Sequence, residues 1–438
     1  MSDYPAELTI EPWSGPPPGA SVRVPGSKSL TNRALIVAAM AEGPSVLTGA
    51  LDSEDTRVMV DSLRRLGLDV EHDPENARIR VPGCGGNIPA REATMQIANS
   101  GTSLRFLTAM VAAGHGTYRL DGTPRMRQRP VADLLAALNG LGADARSDLG
   151  TGCPPVTIQA SGLDGGFAFV KGDVSSQFLS GLLMALPYSK DVTTVEVEGV
   201  LVSQPYVSMT MAVMQAFGVT IGNRKFRRFD VYPAHYKGQN YAIEPDASAA
   251  SYFFAVAAVT GGTITVEGLG ESSLQGDLAF VDILEYMGCQ VVRETDRTTV
   301  TGGPLRAVDV DMNALSDTVM TLGVVALFAD GITRIRNVGH IRHKETDRIA
   351  ALATELRKLG AVVDEHPDGL VIHPPALDQL RGAAIATYDD HRMAMSFAIA
   401  GLRIPGVTIL DPGCVAKTYP GFWTDLDQIR STVASKGL

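Results

Sequence analysis

"LRKLGAVV", residues 356–363, closes an amphipathic run, places Gly360 after it and continues as a short strand-like segment. The run carries Ile349, Leu352, Leu356 and Leu359 at helical spacing, and a glycine after the last periodic residue is the expected helix stop. The phrase recurs as "RRLGLDV" (64–70), "LNGLGADA" (138–145), "MQAFGVTI" (214–221) and "EYMGCQVV" (285–292). Gly67, Gly142, Gly218, Gly288 and Gly360 follow one another at intervals of 75, 76, 70 and 72 residues. A pattern with this period means that one supersecondary unit is repeated along the chain.

Two further features keep the same period. "SVLTGALDSEDT", "TYRLDGTPRMRQRP", "TTVEVEGVLVSQPY", "TITVEGLGESSLQGD", "TRIRNVGHIRHKETD" and "VTILDPGCVAKTYPG" each read as strand, turn and polar loop feeding a helix. "SKSLTNRALIVAAM", "NSGTSLRFLTAMVAA", "SSQFLSGLLMAL", "DASAASYFFAVAAV", "SDTVMTLGVVALFA" and "DDHRMAMSFAIAGL" each read as a buried helix with a polar opening. Ser29, Thr102, Ser176, Ser248, Thr318 and His391 are then equivalent, at intervals of 73, 74, 72, 70 and 73. Six repeats result. The sixth stops at "STVASKGL", before its next strand, whereas the strand-like "AELTIEP" precedes the first. The N-terminal segment is expected to complete the sixth repeat. That makes residues 1–26 plus 244–438 one discontinuous domain (repeats 4–6) and 27–243 an inserted one (repeats 1–3). One continuous α/β solenoid is the alternative.

Composition narrows the function. The 438 residues are 45% hydrophobic and 20% charged, as in a soluble globular protein. No apolar run nears the roughly 18 residues that a membrane span needs. "MSDYPAELTIEPW" lacks a basic segment followed by an apolar one, so it does not read as a secretory signal, and a cytoplasmic location is expected. Cys84, Cys153, Cys289 and Cys414 form no C-x-x-C pair, which disfavours a zinc site or a disulfide framework. A net charge of −10 disfavours nucleic acid and anionic membranes as partners, so affinity for an anion must be local.

The polar helix openings supply such local sites, because helix N-termini favour anions. "VPGSKSLTNRALI" from Val24 is not a P-loop, since Ser27 separates Gly26 from Lys28. The first three openings carry Lys28, Ser29 and Arg33, then Ser100, Gly101, Thr102 and Arg105, then Ser175, Ser176 and Gln177: cations and hydroxyls for an anion. The last three carry Asp246, Asp317 and Asp389–Asp390–His391–Arg392, carboxylates suited to acid–base work. Many of these are ordinary caps, and Asp246 and Ser248 are assigned to that role. Arg125, Arg127 and Arg129 form either a basic loop in solvent or an anion site. In "GHIRHKETDR", Glu345 is expected to open a helix on which Lys344 and Arg348, four apart, share a face. Glu345 beside Lys344 is a candidate proton-transfer pair.

Together the motifs "PGSKSLTNR", "NSGTSLRFL", "DGTPRMRQRP", "DVSSQFLSGLLM", "HKETDR", "DDHRMAM" and "CVAKTYPGFW" make the whole chain resemble the 5-enolpyruvylshikimate-3-phosphate (EPSP) synthases, the shikimate-pathway enolpyruvyl transferases. The resemblance implies an α/β fold: a two-domain inside-out α/β barrel of six βαβαββ repeats, three per domain, closing on substrates in the cleft between them. It implies transfer of the enolpyruvyl group of phosphoenolpyruvate to the 5-hydroxyl of shikimate 3-phosphate, by addition and elimination, with no metal and no organic cofactor. A monomer is expected.

Position by position, the resemblance implies that Lys28, Ser29, Arg33, Ser175, Ser176, Gln177, Ser203, Tyr206, Asp317 and Lys344 serve shikimate 3-phosphate. It assigns Lys28, Gly101, Arg125, Gln177, Arg348, Arg392 and Lys417 to phosphoenolpyruvate, and Asp317, Glu345 and Lys28 to catalysis. Bidentate arginines suit a phosphate and a carboxylate. His340 stands where an asparagine is common, and Phe106 where plant-type members have proline. Glyphosate is implied as an inhibitor competing with phosphoenolpyruvate. Gly101, lacking a Cβ, leaves it room, while Phe106 is expected to weaken the inhibition. Two rivals share the scaffold: a UDP-N-acetylglucosamine enolpyruvyl transferase, whose usual loop cysteine is missing from "DGTPRMRQRP", and a non-catalytic anion-binding protein, which would have no need of Asp317, Glu345 and Lys344 together.

Overall fold

In a computed structural model that describes residues 4–16 and 18–435, each of the five glycine phrases is a helix stop. The helices Glu54–Arg65, Ala132–Gly140, Gln204–Ala216, Phe280–Met287 and Arg348–Lys358 run up to Gly67, Gly142, Gly218, Gly288 and Gly360. These glycines have φ of 89°, 93°, 91°, 113° and 107°, backbone that costs a Cβ-bearing residue far more than glycine. Each reverses the chain into a strand: Glu71–Asp73, Asp144–Ser147, Gly222–Arg224, Gln290–Arg293 and Val362–His366.

The strands assemble the same way in every copy. Glu92–Gln96 is parallel to His115–Asp121, which is antiparallel to Val156–Ser161, itself antiparallel to Asp144–Ser147. This order recurs in five four-stranded sheets. The sixth has three strands: Ala384–Ile385 parallel to Thr408–Leu410, and Glu7–Thr9 antiparallel to the latter. A parallel pair requires a crossover, and the apolar helices with polar openings provide it. In two places the crossover changes sheets. Pro18–Val22 leads into the Lys28–Met40 helix but pairs with Thr263–Glu267, and Asn240–Ala242 leads into the Ala247–Thr260 helix but pairs with Ser45–Thr48. At these points the chain divides into two compact units, one of residues 1–25 with 244–438 and the other of 26–243.

In the unit of 26–243 the helices Lys28–Met40, Gly101–Ala112 and Ser176–Ala185 form the centre and the sheets and amphipathic helices cover them. In the other unit Ala247–Thr260, Val319–Val325 and His391–Gly401 do the same. This is the inside-out α/β arrangement: an apolar helix is stable at the centre because apolar surface surrounds it on all sides. Small hydroxyls let the helices approach, as in the Ser251–Thr321–Ser396 chain with oxygen separations of 3.2 and 3.4 Å. Among the described residues, no helix is long and apolar enough to cross a membrane.

Candidate active site

In the unit of 26–243, Ser27 caps the first central helix, its Oγ accepting from Leu30 N–H at 3.4 Å. The cap leaves Lys28 at the mouth of the helix, its Nζ 3.4 Å from Asp55. Asp55 is buried and was missed in the sequence. Its only signal there is its place in the polar loop "LDSEDT", which feeds the next helix.

One turn on, Arg33 is 1% exposed. Its Nε donates to Thr210 Oγ1 at 2.7 Å, Nη1 to Ser29 O at 2.9 Å, and Nη2 to Tyr206 O at 3.1 Å and Ser180 Oγ at 3.5 Å. The rings of Phe106 and Tyr206 lie 5.2 and 5.9 Å from its guanidinium carbon. None of these partners is a carboxylate. Burial lowers its pKa to about 10, against the pull of Tyr206, so Arg33 is a fixed cation held by neutral oxygens. A buried charge of that kind favours an incoming anion.

The neighbouring openings converge on Gln177. Ser175 caps the helix that Ser176 begins, accepting from Gln177 N–H at 3.3 Å. Gln177 Nε2 donates to Thr102 at 3.3 Å, and its Oε1 accepts from Arg105 at 3.3 Å. Gly101 begins its own helix against Arg105 and Arg129, whose guanidiniums occupy the space that a Cβ there would enter. The space beside Gly101 is thus taken up by the ends of two arginine side chains. Ser203, with φ 54°, precedes the helix that carries Tyr206 in its first turn. The three loop arginines part company. Arg127, itself exposed, pairs with the buried Asp121 at 2.7 Å, and Arg129 is buried on Asn99 O at 2.9 Å. Arg125, half-buried, donates to Gln128 at 3.3 Å.

In the other unit, Asp317 gathers three cations. Lys344 Nζ donates to its Oδ1, Arg348 Nη1 reaches the same oxygen at 3.2 Å, and Arg392 Nη2 binds Oδ2 at 2.7 Å. Arg348 also binds Glu345 Oε2 at 2.8 Å and Asp390 Oδ2 at 2.7 Å. Three cations and three carboxylates therefore interlock. Burial by itself would raise the Asp317 carboxyl; the charges of Arg392, Lys344 and Arg348 overcome that and hold it well below the usual range. Burial lowers the Lys344 amine, with Asp317 opposing. Burial also pushes His340 down to about 3, with Lys344 adding to the effect, so it is neutral. Lys417, 6% exposed, ends the turn Pro412–Lys417, which packs on the His391–Gly401 helix.

One expectation is corrected. Glu345 does not open a helix. The helix begins at Arg348, and Asp347 is its cap, accepting from Ala350 N–H at 3.1 Å. Lys344 and Glu345 lie in the preceding loop, and Lys344 meets Arg348 through Asp317 rather than along a helix face. Asp246 and Asp390 do cap helices, whereas Asp317 sits in a 3-10 turn with its carboxylate turned to the cations. His391 is buried, with Nδ1 3.7 Å from Asp390. Among the described residues, no group of three or more His, Cys, Asp or Glu is placed to hold a metal.

A pH dependence follows from Asp317. Its folded pKa is depressed, so it stabilises the fold above the unfolded carboxylate pKa of about 4, and this is lost as the pH falls further towards the folded value. The stability gap between wild type and Asp317→Asn should be constant near neutrality and shrink below about pH 4. Urea midpoints across that range measure it, and a gap that widens in acid would refute it.

The chain has extensive sequence relatives. The family described as EPSP synthase (3-phosphoshikimate 1-carboxyvinyltransferase) matches residues 17–426. The 3-phosphoshikimate 1-carboxyvinyltransferase of Trichormus variabilis is 49% identical, over 93% of this chain and 96% of that one. The chloroplastic one of Arabidopsis thaliana is 48% identical, over 93% and 82%. The structure of EPSP synthase from Acinetobacter baumannii superposes with a TM-score of 0.80 at 26% identity, covering 97% and 98%. Matched by the family pattern over residues 17–426 and nearly half identical to these members along most of its length, the chain belongs to the EPSP synthase family.

Proposed function

We infer that the chain transfers the enolpyruvyl group of phosphoenolpyruvate to the 5-hydroxyl of shikimate 3-phosphate and releases phosphate. The observation that carries the reading is Asp317 bound by Lys344, Arg348 and Arg392, with Glu345 held on the same Arg348. Cations for a phosphate and a carboxylate, and carboxylates to move protons, are what this reaction needs. Arg33, a buried cation on neutral partners, supports a second anion centre. Shikimate 3-phosphate falls to Lys28, Ser29, Arg33, Ser175, Ser176, Gln177, Ser203 and Tyr206, with Asp317 and Lys344. Phosphoenolpyruvate falls to Lys28, Gly101, Arg125, Gln177, Arg348, Arg392 and Lys417.

In this mechanism the 5-hydroxyl adds to C2 of phosphoenolpyruvate while C3 takes a proton, giving a tetrahedral intermediate. C3 then loses a proton as phosphate leaves C2, which restores the double bond. Asp317 loaded with three cations is a weak base. Substrate anions that draw Lys344 and the arginines towards themselves relieve that load, and the carboxylate can then take the hydroxyl proton. Glu345 serves C3, and Lys28 balances charge. No step requires a metal or organic cofactor. A cytoplasmic monomer, with glyphosate as a competitor of phosphoenolpyruvate, completes the reading.

Phosphate release should require both phosphoenolpyruvate and shikimate 3-phosphate and survive EDTA. Release with UDP-N-acetylglucosamine in place of shikimate 3-phosphate would overturn the reading. Glu345→Gln should lower kcat by about 10²–10⁴-fold, the usual worth of a general acid–base group, while ternary-complex binding measured by calorimetry stays close to wild type. Gly101→Ala must push aside the ends of Arg105 and Arg129 and, on the assignment of Gly101 to phosphoenolpyruvate, also narrows the space for the ligand. It should therefore raise the glyphosate Ki by a larger factor than the phosphoenolpyruvate KM. Equal factors would leave the arginine shift as the whole effect.

A further inference from the structure

The segment just ahead of Asp390 is held in an unfavourable backbone conformation. Tyr388 and Asp389 have φ of 57° and 55°, and Asp390 N–H donates to Thr387 O at 2.9 Å. Positive φ at both central positions is the pattern of a type I′ turn, whose preferred residues are asparagine and glycine. A tyrosine there is a genuine outlier, and such outliers persist only where the surroundings enforce them.

The enforcing group is Glu355. It is 0% exposed and stands seven residues after Arg348 on one helix, so both face the same side. Its Oε1 accepts from Tyr388 Oη at 2.7 Å. Its Oε2 accepts from Ala386 N–H at 3.1 Å and from Lys358 Nζ at 2.6 Å. Lys358 in turn donates to Ala384 O at 3.2 Å. Both ends of the segment Ala384–Tyr388 are thus tied to the helix that begins with Arg348. The next residue but one, Asp390, binds Arg348 at 2.7 Å and caps the helix by accepting from Arg392 N–H at 3.0 Å. The chain therefore leaves the strained turn directly into the carboxylate that holds Arg348 and the arginine that binds Asp317.

We propose that Glu355 and Tyr388 are positioning residues that fasten the 387–390 turn so that Asp390 and Arg392 meet Arg348 and Asp317 in register for the anionic substrate. The proposal rests on the assignment of Arg348 and Arg392 to phosphoenolpyruvate. Neither Glu355 nor Tyr388 bonds to Asp317, Arg348 or Arg392, so they act through the turn. Burial, together with the bond to Glu355, raises the Tyr388 hydroxyl to about 12, so the phenol keeps its donor proton throughout the working pH range.

The test compares wild type with Tyr388→Phe, Glu355→Gln and the double variant Tyr388→Phe/Asp389→Gly. Tyr388→Phe should raise the phosphoenolpyruvate KM by about tenfold, the worth of one hydrogen bond to a charged group, and leave the shikimate 3-phosphate KM near wild type. Glu355→Gln should do the same or more. Glycine in the double variant tolerates the turn without the latch and should restore most of the lost affinity. Hydrogen–deuterium exchange, which needs no activity, should show faster exchange of the amides of 389–393 in Tyr388→Phe. Unchanged exchange there overturns the proposal, as does local loosening in which both KM values stay unchanged or rise alike. Phosphate release by wild type judges the assigned reaction separately: a silent wild type with a loosened Tyr388→Phe turn would sink that reaction and keep the latch.

Discussion

Asp317 can bind Lys344, Arg348 and Arg392 only because three carboxylates answer three cations within one largely buried cluster. Each partner is drawn from a different segment, so the site exists only once the 3-10 turn at 313–318, the loop at 344–347 and the helices from 348 and 391 are in place. Arg348 binds all three carboxylates, and its charge is held above the ordinary range by them despite burial. Deleting any one member would leave buried charge without compensation, a far larger penalty than an exposed ion pair would incur. The local structure reflects this constraint: Asp347 and Asp390 cap the two helices, which places Arg348 and Arg392 in their first turns.

The unit of 26–243 solves the same problem differently. Arg33 is held by hydroxyls, main-chain carbonyls and two aromatic faces, with no carboxylate to neutralise it. One centre is balanced in charge and the other keeps a cation in reserve. An acidic protein of net charge −10 can attract anionic substrates in this way without becoming basic overall. Phe106 belongs to this second arrangement because its ring stacks on Arg33.

The amino-acid sequence by itself determined the family, the α/β class and the six-fold repeat. The reason is that a helix stop at Gly67 or Gly360 and a polar opening at Ser176 or His391 are local events, governed by φ, by capping and by the 3.6-residue period. The residue types around Lys28, Asp317 and "HKETDR" were legible for the same reason: they stand out against an apolar background. Tertiary structure alone decided who meets whom. Asp55 under Lys28, Thr210 on Arg33, Arg129 against Gly101 and Glu355 beneath Tyr388 are joined across 27, 177, 28 and 33 residues. It also moved the start of the helix from Glu345 to Arg348, because Asp347 offers the better cap. Contacts of that range depend on how buried helices pack and how charges balance once water is excluded, and neither is written in the spacing of a single segment.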